Sequence, residues 1–397
     1  MDFQDFDGDE IGIKELLRES IAQSIPGSFS EHPSDPCFIA RAYYPLKSRV
    51  EDLPLYPQGI PHIIRSWAGL EGDYQREDIL FLDLETTGLG RGGNLAFMIG
   101  LGYYEGESYV VEQIFLPDPD AEENSFDRLR ELCENHSLLV TFNGKTFDVP
   151  VLESRLLYHQ IWLDLRGIEH LDLLHIARRL WKRRLASCAM ESLEFYLLDQ
   201  SRDHSEDIPG ALIPQCYLGY LQTGDVKDIN RIFGHNRSDI LHTAALFTLI
   251  CDKCFYPPQD GMDARIDYHA LARLYIAQGQ EDVAKRILLD LLAASVITAD
   301  ILYELGMIYK REKDIESALQ SFEVSADLQH HNAMLEAAKI LEKAKEYDKA
   351  LKLSERLMAL QSSAVPIRES LLRDLQKRID RLRGKIERLA AKAPTMH

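Results

Sequence analysis

The sequence has 397 residues, enough for two or three domains of ordinary size. Its composition, 45% hydrophobic and 27% charged, is that of a folded globular protein and excludes an intrinsically disordered chain. Acidic residues outnumber basic ones by 64 to 45, and the net charge of −19 excludes a histone-like or polybasic membrane-surface protein, because its long-range field repels phosphate.

The first residues and the cysteines indicate a cytoplasmic protein. MDFQDFDGDEI lacks the basic and apolar regions of a secretory signal. No apolar stretch reaches the ~20 residues that a membrane helix needs. The six cysteines are scattered rather than regularly paired, which is typical of reduced thiols. We therefore expect a cytoplasmic location and no membrane partner.

Residues 1–75 are predicted to form an irregular, Pro-rich N-terminal arm. Between about 32 and 62 the chain reads HPSDP, YYPL, LPLYPQG and IPH, and proline at this density disfavours regular structure. A short helix is expected near 11–24. We expect the arm to wrap around the domain that follows it.

Residues 76–255 are predicted to form an α/β domain. The strings ILFLDLETTG, AFMIGLGYY and SYVVEQIFL predict three neighbouring strands, and a hairpin at 105–107 joins the last two. A further strand is expected at 138–142, among helices near 121–135, 148–160, 171–184, 189–199 and 236–255. Antiparallel strands followed by a strand–helix alternation predict a mixed sheet flanked by helices.

The last third is predicted to be an all-α, tetratricopeptide-like repeat domain at 262–365. Residues typical of this repeat recur in three unequal copies, the second 34 residues after the first and the third 32 residues after the second. They are Ala272, Tyr275, Ala284 and Leu288, then Gly306, Tyr309, Ala318 and Phe322, then Ala350. Small residues let two helices approach closely, and each hairpin needs a neighbour to cover its apolar face. An ordinary helical bundle is the alternative.

A C-terminal amphipathic helix is predicted at 366–397. Its apolar residues step by four and three positions along the chain, at Leu375, Ile379, Leu382, Ile386 and Leu389. The helix is expected to cap the repeats, and pairing with a partner protein is the alternative.

Asp83 and Glu85 stand two residues apart at the end of a predicted strand, so the pleat points both carboxylates to the same face. Two carboxylates at ~4 Å repel by roughly 4 kcal/mol in an effective dielectric of about 20, which a divalent cation would reverse. Taken alone, the pair is better explained as a solvated strand end.

Two further motifs supply acidic residues. In TFNGKTFD, a strand runs into Asn143 and Asp148 opens a helix. In GHNRSDIL, His235 and Asp239 lie one turn apart on one helix face. Taken alone, the first motif is explained by a helix cap at Asp148, and the second by an exposed first turn of a helix. Their joint occurrence with the first pair predicts four carboxylates at one sheet edge, an arrangement that two divalent ions stabilise for phosphoryl hydrolysis.

This constellation resembles that of the DEDD, or DnaQ-like, exonucleases of the ribonuclease H-like fold. More narrowly, the chain is similar to the YprB-type ribonuclease H-like proteins of bacteria. The resemblance covers about residues 35–255 and rests on FLDLETTGL, AFMIGLGYY, LLVTFNGKTFDVPVLESR, DLLHIARRLWKRRLASC, DIPGALIP and GHNRSDIL. It implies a ribonuclease H-like fold and a site for two divalent cations, Mg²⁺ or Mn²⁺, held by Asp83, Glu85, Asp148 and Asp239.

The same resemblance implies roles for other residues. His235 would orient or deprotonate the attacking water, and Thr86 and Asn143 would contact the nucleic acid or shape the site. Arg91, in the Gly-rich turn GLGRGG, could reach a substrate phosphate. In the histidine subclass of the superfamily the histidine lies five residues before the final aspartate, whereas His235 lies four before it, so its role stays open between orienting and deprotonating water.

The leading hypothesis is a divalent-metal-dependent nuclease with a two-metal mechanism. The resemblance implies a 3′→5′ exonuclease acting on single-stranded ends of DNA or RNA, and an endonuclease using the same acids is a further option. The alternative is a catalytically silent nucleic-acid-binding or scaffold protein whose helical repeats recruit a protein partner. The basic string RRLWKRR at 178–184 either follows a phosphate backbone or forms a solvated surface.

Overall fold

The computed structural model describes residues 6–32, 34–46, 53–55, 57, 59–88, 93–202, 207–258, 261–362 and 369–391. Its contacts divide the chain into two compact units, residues 1–270 and 271–397. The first unit combines a mixed sheet with helices, and the elements described in the second are all helices, so the predicted fold class is confirmed. The finer division of the chain into four segments stays a prediction.

A seven-stranded sheet, in the order β1-β2-β5-β4-β3-β6-β7, is the centre of the first unit. β6 runs parallel to β3 and β7 parallel to β6, and the other neighbours are antiparallel. The carboxyl ends of β3, β6 and β7 therefore meet at one edge. The strands are β1 (Ser28–Phe29), β2 (Phe38–Pro45), β3 (Ile79–Thr86), β4 (Ala96–Glu105), β5 (Ser108–Phe115), β6 (Leu138–Thr141) and β7 (Glu169–Asp172).

The helices described in the first unit are α1 (Phe6–Ser24), α2 (His62–Ala68), α3 (Glu122–Asn135), α4 (Asp148–Tyr158), α5 (Leu173–Trp181), α6 (Met190–Leu193), α7 (Ile213–Thr223) and α8 (Lys227–Lys253). α6 continues as a π-helical turn to Leu198. Two glycines of β4 allow α8 to approach the sheet, because a Cβ on Gly100 would lie 2.2 Å from Oδ1 of Asn236 and one on Gly102 would lie 2.7 Å from Cγ2 of Ile240.

The N-terminal arm, predicted to be irregular, contributes two strands to this sheet. β2 pairs with β5 along its whole length, from Phe38 opposite Phe115 to Pro45 opposite Ser108. The string FIARAYYP has the pattern of a strand with one buried face, because its buried and more exposed residues alternate. The neighbouring prolines obscured this alternation, since only Pro45 lies within the strand.

Two helices begin at other residues than predicted. Residues 169–172 form β7, and α5 begins only after Asp172, which caps it by accepting the N–H of Leu174. α8 begins at Lys227 rather than near 236, so His235 and Asp239 lie inside the helix and not in its first turn. The earlier start follows from three residues that are buried in the core, Ile229, Ile232 and Phe233. α7 was not predicted.

Consecutive helices follow one another through the second unit. They are α9 (Tyr268–Ala277), which crosses the unit boundary, α10 (Glu281–Ala293), α11 (Ala299–Arg311), α12 (Ile315–Asp327), α13 (His331–Lys343), α14 (Tyr347–Ser362) and α15 (Glu369–Ala390). Gly306 allows α11 to approach α12, because a Cβ there would lie 2.6 Å from the ring of Phe322. Their assignment as tetratricopeptide-like repeats stays a prediction.

Helix α15 packs against the helices before it through one apolar stripe. Leu375, Ile379 and Leu382 are buried, and Leu375 lies in one cluster with Leu357 of α14. These contacts are those expected of a capping helix. None of the helices in the described parts of the chain has the length and apolar character needed to cross a membrane.

A buried glutamate connects β2 and α3 to the sheet. Glu112 of β5 accepts hydrogen bonds from Arg41 of β2 at 2.8 Å, from Arg128 of α3 at 2.6 and 2.8 Å, and from Tyr103 of β4 at 2.7 Å. Burial alone would raise the pKa of Glu112, but these hydrogen bonds lower it. The carboxylate therefore stays charged within the fold.

Replacing this carboxylate should destabilise the first unit. Glu112→Ala leaves two guanidinium groups without their shared partner, and losing one side of a buried ion pair costs about 3–5 kcal/mol. The free energy of unfolding, measured in urea, should fall by about that amount. Glu105→Ala, which removes an exposed carboxylate from β4, is the control and should change it by less than about 0.5 kcal/mol. Equal losses in both variants would contradict this account of Glu112.

Candidate functional site

The centre of the site is the end of strand β3. Asp83 and Glu85 lie two residues apart, so both side chains leave the same face of the sheet. The register with β4 shifts between Glu85 and Thr86, where regular pairing ends. The Thr86 hydroxyl donates to the carbonyl oxygen of Gly88 at 2.6 Å, so this buried side chain shapes the turn that follows the two acids.

Asp148 reaches β3 from the junction between β6 and α4. α4 begins at Asp148, and Oδ1 of this residue accepts the backbone N–H of Leu84 at 3.0 Å. Leu84 lies between Asp83 and Glu85, so this hydrogen bond fixes the third carboxylate against the strand that carries the first two. Only 4% of Asp148 is exposed.

Asn143 and a buried aspartate shape the loop before α4. Asn143 has a left-handed backbone with φ of 69°. Its N–H and that of Lys145 donate to the two carboxylate oxygens of Asp172, at 2.9 and 3.1 Å. The side chain of Asn143 forms no hydrogen bond within the described residues, so its amide is available to a ligand.

Helix α8 supplies His235 and Asp239. Nε2 of His235 lies 3.4 Å from Oδ2 of Asp239 and 4.0 Å from Oε1 of Glu85. Its other ring nitrogen, Nδ1, lies 2.7 Å from Oδ1 of Asp207. The imidazole therefore faces two of the predicted acids with one nitrogen and a third carboxylate with the other.

Asn236 attaches α8 directly to the acidic strand. Its Nδ2 donates to Oδ2 of Asp83 at 2.9 Å, and its Oδ1 accepts from Nε2 of Gln113 on β5 at 3.0 Å. Asn236 is fully buried. Because Asn236 is fixed at both ends, the position of α8 relative to Asp83 is fixed as well.

The carboxylates raise the pKa values of one another. Burial raises the pKa of Asp83 and of Glu85 well above their usual values, and the charges of Asp239 and Asp148 raise both further. Burial also raises the pKa of Asp148 to about 7, although the backbone N–H of Leu84 opposes this shift. Buried oxygen ligands with an excess of negative charge are the donor set that Mg²⁺ and Mn²⁺ prefer.

Arg202 is a cation of the chain itself beside these acids. Its guanidinium donates to both oxygens of Glu194, at 2.6 and 2.7 Å, and to Oδ1 of Asp239 at 2.5 Å. Nδ1 of His242 lies 2.8 Å from Oε1 of Glu194. Burial alone would raise the pKa of Glu194, but the hydrogen bonds with Arg202 and His242 lower it to about 2.

Two sets of three side chains in the described parts of the chain bring possible metal-ligand atoms within 4.8 Å of one another. They are Glu194, Asp239 and His242, and Asp35, Asp118 and Asp120. The chain already supplies a cation to each, Arg202 to the first and Lys14 to the second. No three of the predicted four acids form such a set among these residues. Arg202 contacts Oδ1 of Asp239, while Oδ2 of the same carboxylate faces Nε2 of His235.

The residues that support the predicted acids were not predicted. Asn236 directly follows His235 in GHNRSDIL, and Asp207 opens DIPGALIP, so both lie within strings that carry the family resemblance. Arg202 and Glu194 carried no spacing signal. Arg91 lies outside the described residues.

Trp181 is the aromatic residue of the basic string RRLWKRR, and a strip that follows a phosphate backbone would use it as a stacking surface. The structure contradicts this use of Trp181, because the side chain is fully buried and its Nε1 donates to the backbone oxygen of Arg265 at 2.8 Å. The basic residues around it, at 178–184, therefore have no aromatic surface from Trp181 beside them.

The raised pKa of Asp148 predicts a pH effect on the metal-free protein. The folded chain holds this proton up to about pH 7, and the unfolded chain only up to about its ordinary pKa of 3.8. The stability that the proton contributes is therefore present below pH 3.8 and is lost as the pH rises through 7. Asparagine stays neutral at every pH. As the pH rises from 5 to 8, the free energy of unfolding of Asp148→Asn should therefore increase by more than about 1 kcal/mol relative to that of wild type.

Urea unfolding in the presence of a chelator measures this gain. Asp282→Asn, which neutralises an exposed aspartate of α10, is the control and should follow the wild-type pH curve. Parallel curves for Asp148→Asn and wild type would contradict a raised pKa at Asp148.

Comparisons with solved structures return distant likenesses. A family B DNA polymerase from the archaeon Pyrobaculum calidifontis is 13% identical, with a TM-score of 0.37, and the match covers 61% of this chain and 30% of the polymerase. The MamA protein is 16% identical, with a TM-score of 0.25, and the match covers 45% of this chain and 97% of MamA. Both TM-scores are below 0.5, so neither likeness bears on fold or function.

Comparisons of sequence are more informative. The family model described as RNase_H superfamily matches residues 80–251, which include all four predicted acids. The chain is also 30% identical over 373 residues to the protein named "Uncharacterized protein YprB" of Bacillus subtilis (strain 168), and the match covers 88% of this chain and 86% of that protein. The chain therefore belongs to the family of YprB within the RNase H superfamily.

Proposed function

We propose that the chain is a divalent-metal-dependent nuclease that hydrolyses single-stranded nucleic acid from its 3′ end. Membership of the RNase H superfamily supports a nuclease or related hydrolase. The observation that carries the proposal is the group of carboxylates at the end of β3. Burial and the charges of neighbouring acids raise the pKa values of Asp83 and Glu85, burial raises the pKa of Asp148, and His235 lies beside Glu85.

The metal ligands proposed are Asp83, Glu85, Asp148 and Asp239. Their oxygen donors fit two divalent cations, Mg²⁺ or Mn²⁺. When bound, the ions supply positive charge that offsets the negative charge of a phosphodiester during hydrolysis. The ions can be held only if the carboxylates stay in place. The hydrogen bonds from Leu84 to Asp148 and from Asn236 to Asp83 position two of them.

His235 is proposed to accept the proton of the attacking water. Nδ1 lies 2.7 Å from Asp207 and 3.4 Å from Nη1 of Arg202, and Nε2 is directed toward Glu85 and Asp239. In the tautomer that donates from Nδ1 to Asp207, Nε2 is the nitrogen that accepts the proton. Asp207 then acts as a positioning residue that selects this tautomer. The side chain of Asn143 is proposed to contact the nucleic acid, and Thr86 to shape the turn beside the acids. Arg91 keeps its proposed phosphate contact, although it lies outside the described residues.

A second candidate function is a scaffold in which the helices of the second unit recruit a protein partner. Several large apolar side chains of these helices and their connections are exposed, namely Leu289, Ile297, Ile315, Val324 and Leu328. Such residues are typical of protein-binding surfaces when they are contiguous. Recruitment and hydrolysis are compatible within one chain, and a cytoplasmic location belongs to both proposals.

Metal binding should stabilise the protein through the predicted acids. At a Mn²⁺ concentration of 100 times Kd the gain is about 2.7 kcal/mol, which a thermal unfolding assay detects as a higher Tm. Asp83→Asn and Asp239→Asn should respond much less than wild type. Asp35→Asn, in the other acidic set, is the control and should respond fully. Equal shifts in all four proteins would remove the proposed metal site.

Hydrolysis is tested with 5′-labelled DNA and RNA oligonucleotides in Mg²⁺ and in Mn²⁺. Wild type should give a ladder that shortens from the 3′ end, and Glu85→Gln should lose at least about 100-fold in kcat, as should His235→Gln. His175→Gln, which changes an exposed histidine of α5, is the matched control and should keep full activity. Cleavage of circular single strands would instead identify an endonuclease, and no cleavage of any substrate would favour the scaffold.

A further inference from the structure

A cavity of about 500 Å³ opens beside His235, along the N-terminal half of α8. Asn230, Gly234 and Ser238 form one stripe of its wall, because residues four apart lie on the same helix face. At about 100° per residue, Gly234 lies between Arg237 and His235 around the helix. The cavity therefore leads from Arg237 across Gly234 to the histidine of the candidate site.

The cavity contains polar side chains that have no partner among the described residues. The side chains of Asn230, Arg237 and Ser238 form no hydrogen bond or ion pair with any of these residues. Arg231, which also lines the cavity, is held instead by Asp228 at 3.1 Å and by the backbone oxygen of Asp207 at 2.6 Å. In a chain with a net charge of −19, a guanidinium that has no partner in the described part of the fold is available to an anion.

Gly234 has no structural reason to be glycine among its described neighbours. A glycine inside a helix costs about 1 kcal/mol relative to alanine. A Cβ on Gly234 would meet no atom within 4 Å, so no neighbouring side chain or backbone excludes it. A ligand that lies against the helix backbone would account for the missing side chain.

A second cavity, of about 410 Å³, adjoins the first. Both are lined by Gln200, Ser201 and Arg202. The second is also lined by Phe195 and Tyr196, which are 59% and 55% exposed. Their rings meet edge to face, with centroids 5.0 Å apart. Two exposed aromatic rings side by side offer a surface on which unpaired bases stack.

We propose that the two cavities form one track that binds single-stranded nucleic acid and leads it to the acids. A backbone phosphate binds Arg237 above Gly234, and a base stacks on Phe195 and Tyr196. The inference rests on the proposed nuclease function and deepens it, because it names the residues that select an unpaired strand. Duplexes are poor ligands of this track, since their bases are already stacked on one another.

Binding is measured by fluorescence anisotropy with labelled oligothymidylate of about 12 nucleotides and its RNA counterpart. The parent protein is Glu85→Gln in Mg²⁺, which keeps the strand intact. Arg237→Ala should weaken binding about tenfold and lower the slope of log K against log salt concentration by about 0.7. Arg237→Lys keeps the positive charge and should therefore keep most of the affinity and most of the salt dependence. Lys227→Ala removes one positive charge elsewhere on α8 and should change neither.

The aromatic pair and Gly234 have their own tests. Phe195→Ala combined with Tyr196→Ala should weaken binding about tenfold and leave the salt slope unchanged, because stacking releases no counterions. Tyr43→Ala, which removes another exposed tyrosine, should have no effect. Gly234→Ala should raise Tm and weaken binding, whereas Gly219→Ala, in α7 and equally open, should raise Tm alone.

The outcomes separate this inference from the proposed function. Cleavage by wild type with unchanged binding in the Arg237 and aromatic variants overturns the track and leaves the nuclease. Binding that depends on Arg237 without cleavage in any metal overturns the nuclease and leaves the track. A parent protein that binds none of the oligonucleotides overturns the track.

Discussion

The repulsion among buried carboxylates at the end of β3 is the constraint on which the rest of the first unit depends. Asp83, Glu85 and Asp148 would separate if their supports were flexible, because like charges in a poorly solvated site repel strongly. They are attached to the sheet in two ways. Asp83 and Glu85 belong to β3 itself, and Asp148 is bound to the backbone N–H of Leu84 in that strand. The parallel pairing of β3 with β6 brings that third acid to the same edge.

Arg202 shows how the chain balances part of this charge without a metal. It joins Glu194, in the π-helical turn after α6, to Asp239 on α8. Burial disfavours the guanidinium charge, but its carboxylate partners outweigh this and raise the pKa of Arg202. Arg202 therefore stays positive and offsets part of the charge of Asp239, which lies close enough to Asp83 and Glu85 to raise their pKa values.

The fold was predictable where short-range pattern carries the information. The three strands β3 to β5 and the start of α4 at Asp148 follow from apolar runs and from the junction in TFNGKTFD. The strand β2 was missed because prolines lie around FIARAYYP, although buried and more exposed residues alternate within it and it pairs with β5 along its whole length. The early start of α8 was missed because Gly234 interrupts the apolar pattern, while the packing of Ile229 and Phe233 against the sheet outweighs the helix cost of one glycine.

The sequence predicts the acids of the candidate site but not the residues that contact them, for a physical reason. Carboxylates that share a site have to occupy particular positions on strands and helices. Their spacing and order along the chain therefore form a motif. A supporting residue needs only to reach its partner, as Arg202 reaches Asp239 from a loop and Gln113 reaches Asn236 from β5. Such contacts leave no regular spacing. The same holds for Arg237, whose importance depends on the absence of a partner within the described fold, and that absence becomes visible only once the neighbouring elements are in position.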